Sequence, residues 1–140
     1  MADFIQVTPE FSVAPQLSAE DFARAAAAGF RVIINNRPDG EAPDQIASVD
    51  ARRAAEAAGL AYFDVPVTTL KLRDGLVAER AALAAAEGPV LAYCRSGARS
   101  ISLWALTQAG EKPADEILQI ARTAGYDLSA LAPALQIRQG

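Results

Sequence analysis

Residues Pro89-Val90-Leu91-Ala92-Tyr93 run without a break into Cys94-Arg95-Ser96-Gly97-Ala98-Arg99-Ser100. The first five lack the alternation of a strand with one wet face and read as a strand buried on both faces of a sheet. The segment after them is short, polar and made largely of small residues, and a helical pattern begins at about Ser100. A strand that ends in such a loop and continues into a helix is where open α/β sheets bind their ligands.

The same alternation extends to both sides of this unit. Phe30–Asn35 and Leu60–Val67 are further β-like runs, and Phe4–Val7 and Phe11–Ala14 are weaker ones. Alanine-rich or periodic stretches lie between the runs, and most end at a glycine, the residue that suits a helix C-terminus. Ser18 with Asp21 three residues later predicts a capping box that opens a helix to about Ala28. Further helices are expected from near Ala47 to Ala58, from Asp74 to before Gly88, and over Ser100–Ala109, Pro113–Ala124 and Ser129–Arg138. The pattern predicts an α/β fold, a mainly parallel central sheet flanked by helices, in one domain over residues 1–140.

The composition excludes several chemistries. The chain has 17 acidic and 13 basic residues, a net charge of −4, no histidine and one cysteine. A Ser–His–Asp triad, a Cys–His dyad and a His-ligated metal are therefore ruled out, as are internal disulfides and Cys-cluster metal sites. Alanine supplies 32 of the 140 residues, which favours closely packed helices. The acidic balance argues against nucleic acid as the main partner. No apolar run approaches the length of a membrane span and the N-terminus lacks a signal-peptide pattern, so a cytoplasmic protein with no membrane contact is expected. No metal or cofactor is called for.

The chemistry is expected in the Cys94 loop. Gly97, flanked by the small Ser96 and Ala98, lets successive backbone N–H groups curl toward one point at the positive end of the following helix, an anion nest with Cys94 at its floor. Such a nest favours thiolate over thiol, and Arg99 adds a planar cation suited to an oxyanion. Ser100 is placed to donate to the sulfur, and Arg95 to face solvent at the rim. The partner that fits is a small anionic substrate. A buried structural cysteine is the competing reading, but such a thiol has no reason to be followed by Arg-Ser-Gly-Ala-Arg-Ser. Arg37 and Asp39, in the loop after Phe30–Asn35, are expected to emerge at the same sheet edge and to line the pocket.

The loop resembles two groups of active sites. Cysteine-dependent phosphatases carry Cys-x5-Arg, usually after a His. Here Cys94 and Arg99 enclose four residues and Tyr93 precedes them, which resembles rhodanese-type sulfurtransferases. Across Gln16, Asn35-Asn36-Arg37-Pro38-Asp39-Gly40-Glu41, Gln45, Tyr62, Val65-Pro66-Val67, Cys94–Ser100 and Leu103-Trp104-Ala105-Leu106, the chain resembles the Blh family. These are bacterial phosphatase-like domains found beside or fused to beta-lactamase-fold hydrolases. That resemblance implies a dual-specificity-phosphatase-like fold, a phosphatase or a sulfur-transfer activity, and functional coupling to such a hydrolase, expected here between separate proteins. It places Thr69 where dual-specificity phosphatases carry their general-acid Asp, leaving Asp39 or Asp74 as substitutes. Sulfur transfer through a Cys94 persulfide needs no such acid and is the preferred expectation. Phosphate monoester hydrolysis through a Cys94 phosphocysteine is the alternative, and a non-catalytic anion-binding module the third reading.

Overall fold

The computed structural model describes residues 1–136. Five strands, β1 (Ile5–Thr8), β2 (Phe11–Ala14), β3 (Val32–Asn35), β4 (Ala61–Asp64) and β5 (Val90–Tyr93), form one sheet in the order β1-β2-β5-β3-β4. The apolar run Pro89–Tyr93 therefore supplies the central strand, as expected. It pairs in parallel with β2 on one side and β3 on the other, with Val90 opposite both Phe11 and Val32. β4 continues the parallel set, and β1 alone runs antiparallel.

The side-chain period of two explains why β5 reads as continuously apolar. Leu91 and Tyr93 enter the core on one face with Ile33, Phe22 and the alanines of α1 (Ala19–Ala27) and α2 (Ser48–Ala57). Val90 and Ala92 enter the opposite core, formed with α3 (Leu76–Ala85), α4 (Ala98–Gln108) and α5 (Ala114–Thr123). α4 is apolar over most of its circumference because it is enclosed: Ile101, Leu103, Trp104, Ala105 and Leu106 are all buried. Trp104 stacks on Phe11 with ring centroids 5.9 Å apart, so it is a core aromatic.

Most expected elements are present, with shifted ends. The capping box of Ser18 and Asp21 opens α1. β4 stops at Asp64, three residues before the end of the apolar run, although Val65 and Val67 still donate backbone hydrogen bonds to Asn35 and Asn36 at 2.9 and 3.0 Å. α4 begins at Ala98, because Gly97 adopts φ +91° and starts the helix earlier than Ser100. A 3-10 segment, Thr69–Gly75, precedes α3, with non-helical backbone at Lys71. The expected Ser129–Arg138 helix is a 3-10 turn, Ser129–Leu131, followed by α6 (Ala132–Gln136), and its last two residues lie outside the described residues.

Because β3 and β5 are parallel neighbours, the loops that leave their C-terminal ends emerge at the same edge of the sheet. That edge carries the polar residues described next.

Candidate active site

Cys94 is the first residue beyond β5 and is 1% exposed. Its Sγ accepts a hydrogen bond from the Gly97 N–H at 3.1 Å. The turn is compact because Gly97 takes the left-handed conformation at φ +91°, which a side chain would strain. The two preceding carbonyls face outward: Arg95 O accepts from the Gln16 amide at 3.3 Å, and Ser96 O from the Tyr126 hydroxyl at 3.0 Å. Ile101 N–H then closes the first turn of α4 on Gly97 O. Of the expected nest, Gly97 N–H turns onto the sulfur, whereas Ala98 N–H is directed to Ser96 Oγ at 3.4 Å.

Arg99 stands on the first turn of α4. Its Nη1 donates to Val67 O at 3.0 Å and to Glu41 Oε2 at 2.8 Å, and its Nη2 to Glu41 Oε1 at 2.8 Å. Arg37, buried in the loop after β3, donates from Nε to the same Glu41 Oε1 at 2.9 Å and from Nη1 to Gln16 Oε1 at 3.0 Å. The Arg99 guanidinium, assisted by Arg37, holds the Glu41 carboxyl down at about 2. In return Glu41, and after it the charge on Cys94, hold Arg99 above its ordinary value. A guanidinium has five N–H groups. Glu41 and Val67 take the Nη1 pair and one Nη2 proton, leaving Nε and the other Nη2 proton as a second planar edge for an anion. The expected fork is therefore present, but its other edge is engaged by an acid to which the sequence reading gave no role.

These groups border a cleft of about 670 Å³ lined by Arg37, Glu41, Thr68, Thr69, Arg95, Ser96, Ala98 and Arg99. Arg95 and Ser96 are exposed at its rim. Thus Arg37 meets Arg95, Ser96, Ala98 and Arg99 of the loop around this cleft, with Thr69 on the wall, while Cys94 and Gly97 are not among the residues that line it.

Two candidates lie elsewhere. Asp39, read as a possible acid, accepts the Ser48 amide at 2.8 Å and so caps the first turn of α2 instead of facing the sulfur. Asp74 lines a different cleft, with Lys71, Leu72 and Leu131. The expectation for Ser100 is also corrected. Its hydroxyl proton goes to Asn36 Oδ1 at 2.8 Å, not to the sulfur, because Asn36 is oriented by its own amide. Asn36 Nδ2 donates to Val65 O and to Glu79 Oε1, each at 3.0 Å, leaving only Oδ1 for Ser100. Burial raises the Glu79 carboxyl to about 7, against the opposing effect of the Asn36 hydrogen bond.

The chain's similarity to known proteins accords with this geometry. The family model for the phosphatase-like domain of beta-lactamase hydrolase-like protein matches residues 3–111. This chain belongs to that family. It is 36% identical over 129 residues to the beta-lactamase hydrolase-like protein of Agrobacterium fabrum, covering 90% of this chain but 30% of that protein. The chain thus spans under a third of the length of the curated relatives it matches. A crystal structure from Neisseria meningitidis, nma1982, which carries a provisional phosphatase assignment, superposes with a TM-score of 0.82 at 34% identity over 94% of both chains. A mouse protein provisionally assigned as a dual-specificity phosphatase, solved with zinc tungstate, shares the fold at a TM-score of 0.66 and 22% identity, over 95% of this chain and 84% of that one. The family member is a phosphatase-like domain on a dual-specificity-phosphatase-like α/β fold, and its neighbours support a cysteine-nucleophile enzyme. Among the described residues no helix is long and apolar enough to cross a membrane.

Proposed function

We propose that this domain transfers sulfane sulfur through a Cys94 persulfide. The carrying observation is the state of the acids around the cleft. Glu41 is the only carboxylate among the lining residues, and two guanidiniums hold it ionised, so it has no proton to give at neutral pH. Asp39 is committed to α2 and Asp74 to another cleft. Alkoxide departure from a phosphate ester normally needs such a proton, whereas sulfur transfer does not.

The steps balance without a further reactant. The Cys94 thiolate attacks the outer sulfur of thiosulfate, an S–S bond forms to Cys94, and sulfite leaves with the electron pair of the broken bond. Cyanide or a thiolate then attacks the outer sulfur of the persulfide, and the departing electron pair restores the Cys94 thiolate. Gly97 N–H and the second edge of Arg99 stabilise the negative sulfur and the departing oxyanion. Coupling to a beta-lactamase-fold hydrolase, carried by a separate protein or by the further length of the relatives, fits a domain that would pass on such a product.

Phosphate monoester hydrolysis is the second reading, favoured by the 34% identity to nma1982 along nearly the whole chain. Lacking an acid, that reaction would be confined to esters with good leaving groups, such as aryl phosphates. Turnover decides between the two. Thiosulfate or glutathione persulfide with cyanide should be processed at a rate that Cys94→Ser abolishes, with aryl phosphate slower. Brisk aryl phosphate turnover without sulfur transfer would establish the phosphatase.

A further inference from the structure

We propose that Tyr126 is a positioning residue for Cys94, its hydroxyl fixing the orientation of the Ser96–Gly97 peptide that supplies the sulfur with its amide. The inference rests on Cys94 being the nucleophile, as proposed above, and is independent of which group Cys94 carries.

The two hydrogen bonds in question belong to one peptide unit. Ser96 C=O accepts from Tyr126 at 3.0 Å, and the N–H at the other end of the same unit, that of Gly97, donates to Cys94 Sγ at 3.1 Å. No cis peptide occurs among the described residues, so these groups point in opposite directions, and fixing one fixes the other. The unit needs fixing because it ends in glycine. A residue without Cβ accepts either sign of φ, so rotation of the peptide about its long axis is cheap here and would turn the carbonyl oxygen toward the sulfur. The neighbouring Arg95 carbonyl is held outward in the same manner by the Gln16 amide.

Tyr126 reaches the loop from the turn after α5, thirty residues along the chain. Its ring packs against the α3–α5 core and its oxygen lies over Gly97, where a Cβ would run into it. Glycine at 97 is therefore required both by its backbone angle and by the hydroxyl above it. Burial, and after it the charge on Cys94, raise the phenol above its ordinary value, so the hydroxyl keeps its proton and remains a donor where Cys94 works.

The test is the rate of Cys94 alkylation by iodoacetamide in Tyr126→Phe and in the wild type at two pH values. At pH 6, where reactivity follows the thiolate fraction, the variant should react about tenfold more slowly, the loss expected for one hydrogen bond to a charged sulfur. At pH 10, above the ordinary thiol value, the rates should agree within about twofold, and the melting temperatures within about 4 °C. Tyr126→Leu should give the same ratio, and in either variant the Gly97 amide should lose protection from hydrogen exchange. If the wild type alkylates fast at pH 6 and both variants match it, this inference falls and the proposed nucleophile stands. If the wild type itself reacts no faster at pH 6 than an ordinary thiol, both fall together.

Discussion

Two glutamates meet at the loop that follows β3, Glu41 within it and Glu79 against its Asn36, and their surroundings move them in opposite directions. Glu41, on the cleft side, lies between Arg99 and Arg37 and is held down at about 2. Glu79, on the core side, meets only the Asn36 amide, and burial raises it to about 7. Its Oε2 is buried without a partner. The same side chain is a permanent ion in one place and a proton holder in the other, according to whether cations or apolar groups surround it. The cleft is thus organised by fixed charge, while Glu79, raised toward neutrality by burial, lies behind Asn36.

Disturbing the cationic side should give the largest effect. Arg99→Lys keeps the charge but loses the planar fork that binds Glu41 on one edge and presents the other, so turnover should fall about a hundredfold. Activity within about threefold of the wild type would show that a point charge suffices.

The opposite shifts predict opposite pH responses. A carboxyl raised to about 7 keeps its proton in the folded state between about 4.5 and 7, so stability falls as pH rises through that window and levels off above it. Glu79→Gln removes that slope, and between pH 5 and pH 8 the variant should lose about 2 kcal/mol less than the wild type in urea unfolding. Glu41 contributes stability above about 4.5 that is lost as pH falls toward 2. Glu41→Gln should therefore cost about 1 kcal/mol at pH 7, after allowance for solvent screening, and nothing at pH 2. Parallel stability curves for wild type and both variants would break the contrast.

Ser100→Ala should give the smallest effect on the thiol. Because its proton goes to Asn36, Cys94 alkylation should change less than twofold, although the stranded Asn36 Oδ1 costs about 1–2 kcal/mol of stability. A tenfold slower alkylation would return Ser100 to the sulfur.

The sheet and its site edge were legible because they rest on local patterns. β5 announces itself within the five-residue apolar run Pro89–Tyr93, and Cys94, Gly97 and Arg99 lie within six positions of one another. The missed parts depend on long separations. Tyr126 meets Ser96 across 30 residues and Glu41 meets Arg99 across 58, with nothing local in either segment to show it. Asp39 departs from the expectation because an acid in a polar loop looks the same in sequence whether it faces a sulfur or caps a helix nine residues on. Glu79 sits on an alanine-rich helix where a charged residue ordinarily marks the solvated face, and only the packing of α3 against α4 reveals its burial.

The central claim is that Cys94 carries sulfur. Intact-mass spectrometry after incubation with thiosulfate or glutathione persulfide tests it directly. The account predicts one added sulfur, about 32 Da, on the wild type, released by cyanide and absent from Cys94→Ser. An unmodified wild type under conditions in which it hydrolyses aryl phosphate, or the same adduct on Cys94→Ser, would contradict it.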